Sequence, residues 1–261
     1  MKEFDNLTQL HKYLCQNSKQ LISHKRSTIK HADGIAISFY DEVNDVCMKS
    51  LSYEAESIDK IHVKLIINTT NLYDSHQDVH IPSIWNQSLK QKKTFKLLKQ
   101  HSQAFEDVIS REMNASTKTF TWQQLGANLQ GNTQALMFEG DIYAKEHEYM
   151  FNQYKNGYVD NHSVGMQYIN VFLCVNSKES WAAEEKKNWD KYIGEVANPK
   201  DIAYDYFYAV TEAKIIEGSA VVFGSNPITP TFSVKTRETI THDEPIKLEE
   251  IKQFINKTLN G

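Results

Sequence analysis

Apolar residues recur along this chain with two periods, and the switches between them predict its elements. Over residues 5 to 25 the apolar positions Leu7, Leu10, Tyr13, Leu14, Leu21 and Ile22 fall on helical spacings. That is the signature of an amphipathic helix, with Asp5 or Asn6 as its cap. Residues 35–40 and 61–67 read as strands, the second alternating before it turns apolar. The stretch from Asn68 to His80 is polar and reads as a loop. Pro82 suits the first position of a helix running to about Lys92. Residues 105–113, 133–140 and 163–175 read as strands, the last being the longest, and 206–216 and 219–223 as two more. Residues 145–154 and 178–192 read as helices, the first stopped by Asn156-Gly157.

After Asn226-Pro227 the pattern is lost. Residues 228–243 are rich in threonine, serine and charge. Glu244-Pro245 then opens a short amphipathic helix with Ile246, Leu248, Ile251, Phe254, Ile255 and Leu259. The organisation expected is a helical extension over 1–30, one domain over 31–230, and a polar linker with a terminal helix over 231–261. The fold class is α+β, with strands dominating the centre.

Composition narrows the function classes. Of 261 residues, 40% are apolar, enough for a real core, and glycine (10) and proline (5) are sparse. The net charge of -4 mixes 29 basic with 33 acidic residues, so no basic stripe points to nucleic acid. Cys15, Cys47 and Cys174 are distant, odd in number and without C-x-x-C spacing, which predicts reduced thiols and neither disulfides nor a zinc ribbon. The N-terminus has no apolar run of signal-peptide type, and the runs Val171–Val175 and Ala220–Phe223 are too short to span a bilayer. The expectation is a protein working inside a cell, with no membrane partner.

Most chemical motifs fail. His147-Glu148-Tyr149-Met150-Phe151 lacks the second histidine of a zincin helix, and no phosphate-binding glycine loop occurs. Asn161-His162-Ser163-Val164-Gly165 lacks the first glycine of a nucleophile elbow. Asp74, His76, Asp78 and His80 cluster in sequence, but nothing there fixes a ligand geometry, so neither metal nor cofactor is expected. Trp85, Trp122, Trp181 and Tyr206 read as core or interface.

Three segments can supply nucleophilic chemistry. A serine hydroxyl needs a base within reach, and the base needs a group to hold its tautomer. His101 follows Leu97-Leu98-Lys99-Gln100, Ser163 opens Ser163-Val164-Gly165-Met166, and Glu217 lies in Ala213-Lys214-Ile215-Ile216-Glu217-Gly218-Ser219. Each adjoins a strand, which holds a group more precisely than a loop. His162 neighbours Ser163, but adjacent side chains on a strand face opposite ways, which argues for the distant His101 as base. Glu217 is the expected third member, with Asp160 and His162 competing. Backbone amides near Gly218 or Gly224-Ser225 are the candidates for an oxyanion site.

In these segments the chain resembles the prohead serine proteases of tailed phages, a family related in fold to the herpesvirus assemblins. The resemblance runs from about Ile66 to Pro230. Asp74 to Pro82 with Trp85 and Leu89 resembles the family's early segment, His101 its histidine, Ser163-Val164-Gly165-Met166 its S-[IV]-G-[FM] strand, and Glu217-Gly218-Ser219 its E-[VG]-S segment, with Val221, Val222 and Asn226 following. Gly218 stands where an aliphatic residue is usual. The resemblance implies a mainly antiparallel, barrel-like core flanked by helices. It implies an endopeptidase with Ser163 as nucleophile, His101 as base and Glu217 orienting. Its substrates would be the phage major capsid protein and scaffold, cut inside the assembling procapsid in the host cytoplasm by an enzyme that is itself a homo-oligomer and removes its own C-terminal tail. An inactive capsid-assembly protein with the same fold, and a hydrolase of small esters, are the competing expectations.

Overall fold

The computed structural model describes residues 4–30, 59–224, 226 and 228–236. The strand expected at 35–40, Cys47, Ser225 and the helix at 246–259 lie outside the described residues. The N-terminal extension is two helices, α1 (Leu7–Gln16) and α2 (Ser18–Ser27), broken at Asn17. Asn6 caps α1, its side chain accepting from the Gln9 amide, which satisfies one of the unpaired N–H groups of a first turn. Both helices are docked on the body, with Leu14 in the main core.

Nine strands form one sheet among the described residues: β1 (Ile29–Lys30), β2 (Lys60–Thr69), β3 (Asp78–His80), β4 (Thr94–Lys99), β5 (Val108–Thr121), β6 (Asn132–Tyr143), β7 (His162–Val175), β8 (Tyr206–Ala220) and β9 (Thr231–Thr236). Their order is β1-β7-β8-β4-β5-β6-β2-β9, with β3 also on β8. Most pairs are antiparallel; β3 and β4 run parallel to β8. One edge of β8 is taken entirely by β7. The other is shared by β3 and β4, and the gap between them is filled by Ile84, whose carbonyl accepts from the Ala213 amide, and by Ser88 Oγ, which accepts from the Ile215 amide. Buried backbone groups thus stay paired across the junction. Ser88 belongs to α3 (Asn86–Gln91), shorter than the helix expected from Pro82.

The fold is mixed α and β, as read from the sequence, but the sheet does not close into a barrel among the described residues. The edge strand β1 is two residues long and makes no ladder with β9. The sheet instead curls until the segment entering β9 reaches the start of β7: the His162 amide donates to Thr229 Oγ1, and Thr231 Oγ1 donates to the Val159 carbonyl. The main core lies inside this curl and includes Ile61, Val63, Phe95, Leu97, Phe138 and Ile215. Helix α4 (Glu148–Lys155) adds Met150, Phe151 and Tyr154 to it. Helix α5 (Ala183–Tyr192) covers a second cluster, where Trp189 and Tyr192 meet Cys174 and Phe207.

Two further expectations are corrected. The runs at 206–216 and 219–223 are one strand ending at Ala220, so Glu217 and Gly218 stand inside it, and Val222 and Phe223 are exposed beyond its end. The polar linker does not begin at 231, because residues 231–236 pair with β2 and Phe232 packs on Phe120. The bare edge of an apolar strand is the partner that fixes them.

Candidate functional site

The site is built where β7, β8 and β4 meet. Ser163 lies directly across from Ser219, Gly165 from Glu217, and Leu98 pairs Ser219 from the other side. Paired residues and residues two apart share a face of a sheet. Ser163, Glu217 and Ser219 therefore stand on one face, while Val164 and Gly218 stand on the other. Gly218 confirms the assignment: a β-carbon there would lie 2.7 Å from the Phe138 ring and 3.2 Å from Ile67 Cδ1. The Phe138 ring takes the space that an aliphatic residue at 218 would occupy.

Beyond Lys99 the chain turns sharply. Gln100 and His101 both have left-handed backbones, φ 53° and 58°, which costs a residue with a side chain roughly 1–2 kcal/mol. Four interactions hold the turn. The Gln100 amide donates to the Ala220 carbonyl, the Ser102 amide to Lys99, and the His101 amide to Ser219 Oγ at 3.1 Å. Lys99 pairs with Asp107 across the turn, and hydrogen bonds from Lys99 and Ser102 hold the Asp107 carboxyl below its ordinary range.

This turn brings His101 onto Glu217. Nδ1 lies 2.7 Å from Glu217 Oε1, and both side chains are almost wholly buried. An ionised carboxylate only accepts, so Nδ1 carries the proton and Nε2 is the accepting nitrogen of the neutral ring. The second carboxylate oxygen accepts from Ser219 Oγ at 2.7 Å. Gly165 makes room for this carboxylate: a β-carbon at 165 would sit 2.0 Å from Glu217 Oε1. The glycine of Ser163-Val164-Gly165-Met166 is thus required by sterics, not by backbone conformation.

The structure brings Glu217 and His101 together and sets Ser163 beside them on the neighbouring strand. It makes no hydrogen bond between Ser163 and His101, and Ser163 is 7% exposed. The competitors for the third place stand elsewhere. His162 is wholly buried on the core face, its Nε2 3.0 Å from the Tyr154 hydroxyl and its Nδ1 2.9 Å from the Thr229 carbonyl. Burial pushes its pKa down to about 4. Asp160 bonds its neighbour Asn161 at the surface. Gly224 packs against the His162 and Asn226 carbonyls.

The 74–80 segment folds into a buried polar network. Asp78 accepts from Lys25 of α2 and, at 2.9 Å, from the Tyr168 hydroxyl. Tyr168 also meets His80 Nε2 at 2.9 Å, and His80 Nδ1 lies 3.1 Å from Asn68 Nδ2. Asn68 in turn accepts from Asn226 at 2.6 Å. Asp74 Oδ1 caps the turn, accepting from the His76 and Asp78 amides. No group of three or more His, Cys, Asp or Glu among the described residues is arranged for a metal. His147 caps α4, its Nδ1 accepting from the Met150 amide. Sequence reasoning missed Lys25 as the partner of Asp78, and Ser219 as a partner of Glu217. Only the second had a signal, the two-residue spacing within a strand. Compared with protein-family models, with curated proteins and with solved structures, the chain matches none.

Proposed function

We propose that this chain is a serine endopeptidase of the tailed-phage prohead protease type, with an assemblin-like fold. The observation that carries the reading is the buried His101–Glu217 hydrogen bond placed beside Ser163 on the adjacent strand. In this reading Ser163 Oγ attacks the carbonyl carbon of the scissile peptide while His101 Nε2 takes its proton. Glu217 stabilises the imidazolium that forms. The imidazolium then protonates the departing amine, and water, deprotonated by the same histidine, releases the acyl group. The substrates proposed are capsid and scaffold extensions, cut inside the procapsid.

A second reading is an inactive assembly protein. It draws on the absence of a Ser163–His101 hydrogen bond and on the low exposure of Ser163. Such bonds often tighten only when substrate binds. Co-expression with the phage's capsid protein, followed by intact mass measurement, separates the two. Cleavage that vanishes in Ser163→Ala and His101→Ala, with the double variant hardly worse than either, supports the protease. Cleavage retained in Ser163→Ala, or absent from the wild type, defeats it.

A further inference from the structure

Ser219 belongs to no part of the mechanism just given, yet its one hydroxyl makes two contacts at once, one as donor and one as acceptor. It is wholly buried, so it is not the nucleophile. Its proton goes to Glu217 Oε2, 2.7 Å away. Its lone pair receives the main-chain N–H of His101, 3.1 Å away. Glu217 Oε1 receives the imidazole Nδ1 of the same histidine at 2.7 Å. The three residues therefore form a closed ring of hydrogen bonds. One bond fixes the histidine's ring, one its backbone, and one the carboxylate between them.

We infer that Ser219 is a positioning residue that sets His101 and Glu217 in register with Ser163. The inference rests on the serine-hydrolase reading of the site. Without the hydroxyl, Glu217 keeps Oε1 on the imidazole but loses the contact that stops its carboxylate rotating. The His101 amide, in a left-handed turn with φ 58°, loses its acceptor. Both ends of the histidine are then held less well, and a base displaced by a fraction of an ångström transfers its proton less efficiently. Ser219 lies across from Ser163 in the β7–β8 register, so the residue that sets the base also flanks the nucleophile. The Glu217-Gly218-Ser219 spacing has a physical meaning: the outer two side chains share the face of Ser163, and the middle residue faces the core.

The test uses the full-length chain and a fluorophosphonate probe, followed by the mass of the Ser163 peptide as a function of time and pH. Ser219→Ala is expected to slow labelling about tenfold to a hundredfold, the range for losing a partner that orients a functional histidine. The pH midpoint of labelling should move to lower pH, because a carboxylate free to rotate spends less of its time on the imidazolium. Ser219→Cys, close in size but a weak donor, should fall between the two. A general loss of packing would lower the yield of folded protein without moving the midpoint. A labelled wild type with Ser219→Ala folded and unchanged in rate and midpoint overturns the inference and leaves the proposed function standing. If Ser219→Ala does not fold, Ser219→Cys decides by the same two readouts. A wild type that is never labelled at Ser163 overturns both.

Discussion

Gly165 is the residue that decides whether Glu217 can reach His101. A β-carbon there would meet Glu217 Oε1, Cδ and Cγ at 2.0, 2.8 and 3.0 Å, so the whole carboxylate must swing away. Gly165→Ala is therefore expected to expel Glu217 from the imidazole and from Ser219, at a cost of about 1–3 kcal/mol for the buried groups left without their acceptor. Its loss of activity should equal that of Glu217→Ala, and the double variant should be no worse. Thermal melting and fluorophosphonate labelling of the three proteins check this. Equal activity in Gly165→Ala and wild type would disprove it.

Two buried groups predict opposing pH dependences of stability. Asp74 is raised from 3.8 to about 7, by burial first and then by the charge of Asp78, against the lowering effects of the Asp78 and His76 amides and Lys25. The folded chain holds a proton there that the unfolded chain has lost, so stability falls as pH rises from about 4 to about 7. His162 is lowered from 6.5 to about 4, so it favours the unfolded chain in acid, and stability rises across that window. Urea unfolding across this range should show Asp74→Asn leaving a net rise with pH, and His162→Asn leaving a net fall. Asn at 74 retains the oxygen that accepts from the His76 and Asp78 amides, and Asn at 162 retains a donor for the Thr229 carbonyl. That His101 and Glu217 would meet beside Ser163 could be read from order and motif. His162 could be set aside from strand alternation alone. Asp74 and Lys25 could not, since 53 residues separate Lys25 from its partner Asp78 and no local pattern links them.

At the level of elements, helix α2 packs Leu21 and Ile22 against the main core and adds one deep polar contact. None of its own residues is fully buried, and Lys25 reaches Asp78, whose side chain has no exposure, and the face of the Tyr208 ring. Lys25→Met leaves a buried carboxylate without its cation, a change expected to cost about 3–5 kcal/mol. Adding Asp78→Asn should recover part of that loss, because the stranded charge is then gone. Chemical denaturation of the single and double variants measures it, and strict additivity would argue against the pair. The elements least readable from the sequence share a cause. The second half of β5, Asn114 to Thr121, is polar except for Ala115 and Phe120, which fall on opposite faces, so it lacks the alternation that marks a half-buried strand. Strand β9 is short and polar and gains its order from pairing with β2. Strand β8 seemed to break at Glu217-Gly218, because the site places a charge and a glycine where a core strand has neither.

For the whole molecule, the described C-terminal boundary is a matter of edge protection. Ending the chain after Pro230 removes β9 and bares β2 from Ile61 to Leu65, where Ile61, Val63 and Leu65 are wholly buried. That truncation is expected to aggregate, whereas ending it after Thr236 keeps the sheet. Solubility and melting of the two truncations test this, and equal behaviour would place the boundary at 230 after all. If the chain is the proposed protease and removes its own residues beyond 236, intact mass over time should show that cleavage in the wild type and none in Ser163→Ala.

The placement of β8 has a consequence for when the proposed site is completed during synthesis. The base and its carboxylate are 116 residues apart in sequence, and β4 reaches β7 only through β8, which follows both. A chain still growing on the ribosome carries Ser163 and His101 long before it carries Glu217 and Ser219. Contacts between distant segments also form slowly. A partly made or partly folded chain therefore has Ser163 but no paired His101 and Glu217, and on the proposed reading its hydrolytic capacity would switch on only when the last long strand is inserted between the other two.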